Sequence, residues 1–293
     1  MPFKFIPNSL PLLLSGSLFF AAADSHALRP QAQIEASGTI RFCNIVWFGE
    51  SDKTTRLGPE VELAHELGKF LKLKSASVVV LWDDFFKNSD GKVEKELAYE
   101  PDFLASSKCD FYAANMTVNE WRQSKLTIVP YHAGRIMVVV RKEDAGKIQK
   151  LEDLKGKRTI VTANTTLQAE LEKVNLQPGS SEKRFEIQIT KNGGTDKALL
   201  SKEVDFIALD TSQALQLILK SGNKVRIAFP IGDNQSIGWG FPKNALWLQK
   251  RFTEFIDSQK REEHSRLNQI FSSYYGVSLN GYREIVQNAQ RSQ

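Results

Sequence analysis

The fold class is decided by residues 40–81, in which IRFCNIVWF (40–48), EVELAHELGKFL (60–71) and ASVVVL (76–81) follow one another. The first and third stretches are β-branched and apolar runs of strand length. The middle stretch has apolar residues three and four positions apart, which predicts a helix with one apolar face. A strand, a helix and a strand in this order indicate a βαβ unit and an open α/β sheet.

The alternation of strands and helices continues along the chain. Further strands are predicted at 110–114, 136–141, 158–162, 185–189, 206–209 and near 236–241, helices at 166–174, 195–201, 212–220 and from residue 244 onwards, and a polar surface excursion at 88–101. Two αβ sets result, one before about Pro130 and one from Arg135 to about Arg226. A chain that leaves one α/β lobe, builds a second and returns to the first creates a cleft, and small ligands bind in clefts.

The expected domain organisation follows from this path. Residues 28–133 and 234–293 should form lobe 1, and residues 134–233 should form lobe 2. The chain would then bend at two crossover strands, near 132–135 and 233–237.

The composition is that of an ordinary globular protein. The chain has 293 residues, of which 41% are hydrophobic and 25% are charged. The 39 basic and 34 acidic residues give a net charge of +5, but basic and acidic side chains are interspersed. Because nucleic-acid binding needs a concentrated basic patch, DNA and RNA are excluded as expected partners.

The N-terminal residues 1–27 have the pattern of a cleaved signal peptide. A single Lys with no acid is followed by an apolar run over 10–23, and Ser25 and Ala27 offer small residues for cleavage. The alternative is a membrane anchor, but the run is shorter than the roughly 20 residues that cross a bilayer. We expect a mature protein that begins near Leu28 and is soluble outside the cytoplasm.

The two cysteines, Cys43 and Cys109, both fall in apolar stretches of strand type. Export permits a disulfide between them, and two buried thiols are the alternative; we favour the disulfide. No Cys-x-x-Cys motif and no histidine cluster occurs, so neither a metal nor a cofactor is expected. The common hydrolase, kinase, dinucleotide and zinc-protease motifs are also missing from the sequence, which argues against an enzyme.

The most informative stretch for function is NMTVNEWR at 115–122, directly after a predicted strand. Ligand groups in open α/β sheets lie at strand ends. Arg122 could hold a carboxylate through two parallel hydrogen bonds, and Thr117 could add a hydroxyl donor. On its own, such an arginine is more often part of a surface ion pair.

The order of short motifs resembles the bacterial extracellular solute-binding proteins of family 3, the periplasmic receptors for polar amino acids. The motifs are Gly58-Pro59-Glu60-Val61-Glu62-Leu63, Lys108-Cys109-Asp110, Met116-Thr117 through Arg122, Pro130-Tyr131, Leu154-Lys155-Gly156-Lys157, Thr165-Thr166, Val204-Asp205-Phe206 to Asp210, Gly238-Trp239-Gly240-Phe241-Pro242-Lys243 and Tyr274-Tyr275-Gly276. They span nearly all of the expected mature chain. The resemblance implies a type II periplasmic binding protein fold with two α/β lobes and a two-strand hinge.

The resemblance also implies a ligand site. The family arginine that holds the ligand α-carboxylate matches Arg122, with Thr117 at the first Thr of the motif and Asn119 in place of the second. Thr165 and Thr166 match the loop of lobe 2 that meets the same carboxylate, where amides at a helix start favour an anion. Asp210 matches the acid that binds the α-ammonium; its alternative role is that of a helix N-cap, and both roles are compatible.

The side-chain pocket of the family uses aromatic residues of lobe 1. Trp82 matches this pattern, as does Trp47 or Phe48, with core packing as the alternative. Asn115, at the start of the informative stretch, is also expected in the pocket. Asn44 stands where some members have an Asp, which leaves the identity of the ligand open.

Three functions remain open at this stage. The first is a monomeric receptor that presents a small zwitterion, with an amino acid as the expected ligand, to the membrane permease of an ABC transporter. The second is a sensor or partner-binding homologue, because Cys43 and the Lys108-Cys109-Asp110 motif resemble binding-protein homologues associated with quinoprotein dehydrogenases. The end of the chain also resembles the regulatory module of lytic transglycosylases. The third, and weakest, is an enzyme similar to cyclohexadienyl dehydratases.

Overall fold

The computed structural model describes residues 28–45, 58–176, 183–191 and 193–288. The predicted signal peptide, Trp47 and Phe48 lie outside the described residues. Within the described part of the chain, no helix is long and apolar enough to cross a membrane.

The elements follow the alternation that the sequence predicts. The helices are α1 Gln31–Ser37, α2 Pro59–Phe70, α3 Asp102–Ala105, α4 Glu120–Gln123, α5 Thr166–Asn175, α6 Thr195–Leu200, α7 Thr211–Lys220, α8 Leu246–Arg261, α9 Arg266–Tyr275 and α10 Leu279–Asn288. The strands are β1 Thr39–Asn44, β2 Lys74–Val79, β3 Phe111–Thr117, β4 Thr127–Arg141, β5 Arg158–Thr162, β6 Glu186–Thr190, β7 Phe206–Asp210 and β8 Val225–Phe241. Short 3-10 helices lie at Trp82–Phe85, Lys142–Asp144 and Leu151–Leu154.

The strands of the described chain form one eight-stranded sheet in the order β2-β1-β3-β8-β4-β7-β5-β6. Within it, β1 is parallel to β2 and β3, and β5 is parallel to β6 and β7, as the βαβ pattern predicts. The long strands β4 and β8 are antiparallel to each other and run through the middle of the sheet from Thr127 opposite Phe241 to Arg141 opposite Val225. They are therefore the two strands that join the halves.

The buried apolar side chains divide at the same strands. The buried residues of two clusters come from 34–131 and 239–286, and those of the two others come from 136–231; the partly buried Leu215 of α7 and Ile285 of α10 pack across, each against a core of the opposite lobe. Each half of the sheet thus has its own core, which makes it a lobe. We call the half with β1, β2 and β3 lobe 1 and the half with β5, β6 and β7 lobe 2; the exact boundaries at 133/134 and 233/234 stay a prediction.

The crossover strands are longer than the sequence indicates. Only 136–141 of β4 and 236–241 of β8 read as strands, because Pro130, Gly134 and Asp233 interrupt the apolar runs. In the structure the pairing of β4 with β8 continues past these residues, with register shifts between Pro130 and His132 and between Gly134 and Ile136. These irregularities lie where the predicted hinge crosses between the lobes.

The predicted disulfide between Cys43 and Cys109 is present. Cys43 lies in β1, Cys109 lies two residues before β3, which pairs with β1, and the two Cα atoms are 5.6 Å apart. Both residues are fully buried against aromatic side chains of lobe 1. The bond therefore ties β1 to the start of the neighbouring strand β3.

We expect the double variant Cys43→Ala/Cys109→Ala to lose about 2–5 kcal/mol of unfolding free energy. The bond closes a segment with a sequence separation of 66 residues, so its loss releases considerable chain entropy in the unfolded state. Urea denaturation of the oxidised, reduced and double-variant proteins measures the effect. The reduced wild type should behave like the variant, and equal midpoints for all three would contradict the expectation.

Candidate functional site

Most of the predicted ligand residues meet in one cavity between the lobes. Its lining residues are Trp82, Asn115, Thr117 and Arg122 from lobe 1 and Thr165, Thr166, Leu167, Asp210 and Gln213 from lobe 2. Seven of the eight residues that the sequence nominates are among them; the eighth, Phe48, lies outside the described residues. Residues from positions 82 to 213 of the chain are thus gathered at a single place by the fold.

Arg122 is positioned by the end of β3 and by the short helix α4. Asn119 is the N-cap of that helix, and the amide of Arg122 donates to its Oδ1 at 3.1 Å. This bond gives a physical reason for Asn at the position where the family has a second Thr, since both residue types cap helices. The Arg122 guanidinium turns back over the strand end, where Nη1 donates to the carbonyl of Thr117 at 3.0 Å.

Aromatic rings surround the guanidinium of Arg122. Its central carbon lies 5.1 Å from the ring centre of Trp82, 5.3 Å from that of Phe86 and 5.2 Å from that of Trp121. The side chain is 1% exposed, and burial lowers the pKa of Arg122 to about 10, although the charge of Asp210 counteracts the shift. Arg122 therefore stays positively charged at neutral pH, held in place by cation–π contacts.

Asp210 is the acidic counterpart on lobe 2. It ends β7 and occupies the N-cap position of α7, where its amide donates to Gln213 Oε1 at 3.4 Å. Burial raises the pKa of Asp210 to about 6, and the charge of Arg122 counteracts the shift. The cap position and the cavity position coincide, so the two interpretations of Asp210 are geometrically compatible.

Arg122 and Asp210, which both line the cavity, each contain a buried polar atom without a partner in the part of the chain that the structure describes. Among the described residues, neither Arg122 Nε nor Asp210 Oδ1 has a hydrogen-bond partner. Buried polar atoms are almost always satisfied, because leaving one unpaired costs about 1–3 kcal/mol or more for charged groups. A cation and an anion of this kind, on opposite walls of one cleft, fit a ligand that carries both charges.

The two threonines of lobe 2 differ in what their hydroxyls do. Thr165 caps α5: its Oγ1 accepts from the amide of Gln168 at 3.2 Å and donates to the carbonyl of Thr162 at 2.7 Å. Thr166 Oγ1 instead faces Thr117 Oγ1 of lobe 1 at 3.2 Å. Thr165 therefore shapes the helix start, while the Thr166 hydroxyl reaches across the cleft.

Asn115 belongs to a polar network at the base of the cleft. Its Nδ2 donates to Glu60 Oε1 at 2.7 Å, and its Oδ1 accepts from the Tyr131 hydroxyl at 2.7 Å. The ring of His132 lies 3.4 Å from the same oxygen, and burial lowers the pKa of His132 to about 4, so this imidazole is neutral at neutral pH. The network fixes the Asn115 amide on the cavity wall.

Two glutamines at the site were missed by the sequence analysis. Gln213 lines the cavity from the first turn of α7, and Gln235 Oε1 accepts from the Thr117 hydroxyl at 3.0 Å. Gln235 could have been nominated from the sequence because it lies in the predicted hinge strand near 233–237. Asn44 is not among the residues that line the cavity; it is buried and accepts from the Ser77 hydroxyl of β2 at 2.5 Å.

Comparison with known structures identifies the class of fold. The structure of the ancestral amino acid-binding protein AncCDT-1, described as a precursor of cyclohexadienyl dehydratase, superposes with a TM-score of 0.67 at 18% identity and covers 83% of this chain and 98% of that one. The fold is that of type II periplasmic binding proteins, with two α/β lobes and a two-strand hinge, as the sequence predicts.

The sequence comparisons then find distant relatives. The chain is 24% identical to the L-cystine-binding protein TcyJ of Escherichia coli K12 over 232 residues, which cover 79% of this chain and 78% of that protein. It is also 26% identical to the membrane-bound lytic murein transglycosylase F of Desulfosudis oleivorans, over 76% of this chain and 45% of that protein. A family model described as NMT1/THI5 like matches residues 124–232.

Proposed function

We propose that this protein is a periplasmic solute-binding protein that captures a small zwitterion, an amino acid, between its lobes and delivers it to an ABC transporter. The observation that carries the proposal is the pairing of Arg122 and Asp210. They come from different lobes, line one cavity and each has a buried polar atom without a hydrogen-bond partner among the described residues. Arg122 takes the α-carboxylate and Asp210 takes the α-ammonium.

The remaining cavity groups support this assignment. Thr166 and the first amides of α5 lie on the same wall as Asp210, and amides at a helix start stabilise an anion. The Trp82 ring and the fixed amide of Asn115 offer one apolar and one polar surface to the ligand side chain. No step of this function needs catalysis or a cofactor, so we assign the protein to binding and not to an enzyme class.

Closure accompanies binding in this proposal. Because Thr117 and Thr166 already lie within hydrogen-bond distance of each other, a ligand can only enter after the lobes separate. Separation by bending at β4 and β8 keeps the fully buried residues of each lobe core together, since these come from one lobe in every cluster, and it parts only the partly buried Leu215 and Ile285 from the opposite core. The ligand then shifts the population toward the closed form by contacting both lobes.

A thermal-shift screen of the chain from Leu28 onwards, against amino acids and small carboxylates at about 1 mM, tests the proposal. A ligand with a dissociation constant near 1 μM would stabilise the protein by roughly 4 kcal/mol at this excess. We expect a clear rise in Tm with one or a few amino acids. No shift with any of them, on folded protein stripped of ligand, would count against capture of amino acids.

The transglycosylase relative favours a second candidate function. This chain matches 45% of the length of that protein, which is consistent with the binding fold serving there as one part of a larger enzyme. A homologue of such a part would sense a ligand or dock a partner instead of feeding a permease. Co-purification of the ligand-loaded protein with a periplasmic partner, and not with a permease, would support this candidate.

A further inference from the structure

The two lobes make direct contact at one edge of the cleft, next to the ligand site. Trp82 and Asp83 begin the 3-10 helix of lobe 1, and Asn164 lies in the loop of lobe 2 before α5. Trp82 Nε1 donates to the carbonyl of Asn164 at 3.4 Å, and Asn164 Nδ2 donates to Asp83 Oδ1 at 3.2 Å. Asp83 and Asn164 are 81 residues apart in sequence, so the contact depends on how the lobes are placed.

The backbone of Asn164 is held by its own lobe. Its φ is +60°, in the left-handed region that glycine adopts freely and that asparagine tolerates best among the other residues. Its amide donates to Gln168 Oε1 of α5 at 2.9 Å, so the loop conformation does not depend on Asp83. The side-chain carboxamide is what reaches lobe 1.

We propose that Asn164 and Asp83 form an interlobe latch that holds the cleft closed and thereby sets the affinity of the site without touching the ligand. This inference rests on the proposed function for its effect on affinity. The bond exists only while the lobes are together, since bending at β4 and β8 carries the two side chains apart. An interaction made only in the closed form multiplies the ratio of closed to open molecules, and the apparent affinity follows the binding-competent fraction.

Single substitutions at either partner remove the latch. Asn164→Gly deletes the carboxamide, permits the left-handed backbone and keeps the carbonyl that accepts from Trp82. Asp83→Ala removes the other partner. Asn223→Gly is the matched control, because Asn223 also has a left-handed backbone, with φ of 63°, but is exposed at the end of α7, away from the cavity residues.

The distance distribution between one spin label on each lobe, measured without ligand, tests the proposal directly. We expect Asn164→Gly and Asp83→Ala each to lower the closed-to-open ratio about three- to tenfold, the size of one net hydrogen bond, and the double variant to lower it no further. Asn223→Gly should match the wild type. Distributions for both single variants that superimpose on that of the wild type would overturn the latch, as would a double variant whose effect is the product of the single effects.

A second measurement, that of the dissociation constant, distinguishes a failure of the latch from a failure of the proposed function. For any amino acid that binds, the dissociation constant should rise by the factor by which the closed fraction falls, and an unchanged constant despite a lower closed fraction would overturn the claim about affinity. If no amino acid binds at all, the proposed function fails while the distance measurement still decides whether the latch exists.

Discussion

Replacing Arg122 with methionine should weaken amino-acid binding by at least about 30-fold. The guanidinium is 1% exposed, so a carboxylate placed against it exchanges water for charge-assisted hydrogen bonds in a medium of low polarity. Methionine would leave that carboxylate buried without a partner, and truncation of one side of a buried charge pair costs about 2–5 kcal/mol. Isothermal titration with the ligand found by thermal shift measures the loss.

The fold should survive this substitution. Methionine fills most of the space between the Trp82, Phe86 and Trp121 rings, and it removes the cost of burying a cation. Arg122→Lys is the matched control: it keeps the charge but loses the planar fork, so its affinity should fall between those of the wild type and Arg122→Met. Equal affinities in all three proteins, with unchanged circular dichroism, would remove Arg122 from the ligand site.

The sequence identified Arg122, and the resemblance placed Trp82 in the same pocket, but neither indicated that three rings enclose the guanidinium. Its position after a predicted strand, within a recognisable motif order, was enough to nominate it. The rings of Trp82 and Phe86 reach it from an element some 40 residues earlier in the chain, which no local pattern could indicate. The distinction between a surface ion pair and a buried cation therefore required the tertiary structure.

The hinge shows a different limit of sequence reasoning. Pro130, Gly134 and Asp233 lower the strand propensity of β4 and β8, so the pattern recognised only parts of both strands. In the folded chain the two strands pair with each other along their length, and this pairing outweighs the local preference. Hydrogen bonds between distant parts of the chain therefore determine how long β4 and β8 are, and the hydrophobic periodicity of the sequence does not reveal these bonds.

Thr165 lines the cavity, as expected, but the sequence could not indicate which groups its hydroxyl binds. The resemblance implied that its hydroxyl and that of Thr166 meet the ligand carboxylate. In the structure the Thr165 hydroxyl is engaged by the amide of Gln168 and the carbonyl of Thr162, both from its own loop and helix. Which of two adjacent hydroxyls caps a helix depends on the backbone angles at the turn, and the sequence permits both arrangements.

Asp210→Asn should abolish amino-acid binding and at the same time stabilise the protein without ligand at pH 8. In the folded state burial raises the pKa of Asp210 to about 6, whereas an unfolded chain has a carboxyl pKa of about 3.9. Between these values the folded protein holds a proton that the unfolded chain releases, so the contribution of Asp210 to stability falls as the pH rises from about 4 to 6. Above about pH 6 Asp210 is ionised in both states, and the full free-energy cost of burying its charge lowers the stability of the folded protein.

Asparagine has no charge to bury, so the variant avoids this cost. Two pKa units correspond to at most about 3 kcal/mol, which is the upper limit of the expected gain at pH 8; at pH 4 the gain should vanish. Urea denaturation at both pH values measures it. Asp257→Asn on α8 is the control, because that side chain is exposed and should leave stability nearly unchanged at either pH. A variant no more stable at pH 8 than at pH 4, relative to the wild type, would contradict the buried carboxylate.

The same carboxylate predicts how ligand binding depends on pH. A ligand ammonium needs Asp210 ionised, so below about pH 6 binding must first remove a proton, and affinity should fall by up to about tenfold for each further pH unit. The α-carboxylate of the ligand stays ionised down to about pH 4, so it does not produce this slope. Titration calorimetry at pH 5.5 in buffers of different ionisation enthalpy should reveal proton release on binding. Because the ammonium and the Asp210 carboxylate neutralise each other in the closed cleft, the charge that lowers stability without ligand is the one that makes the site select a zwitterion.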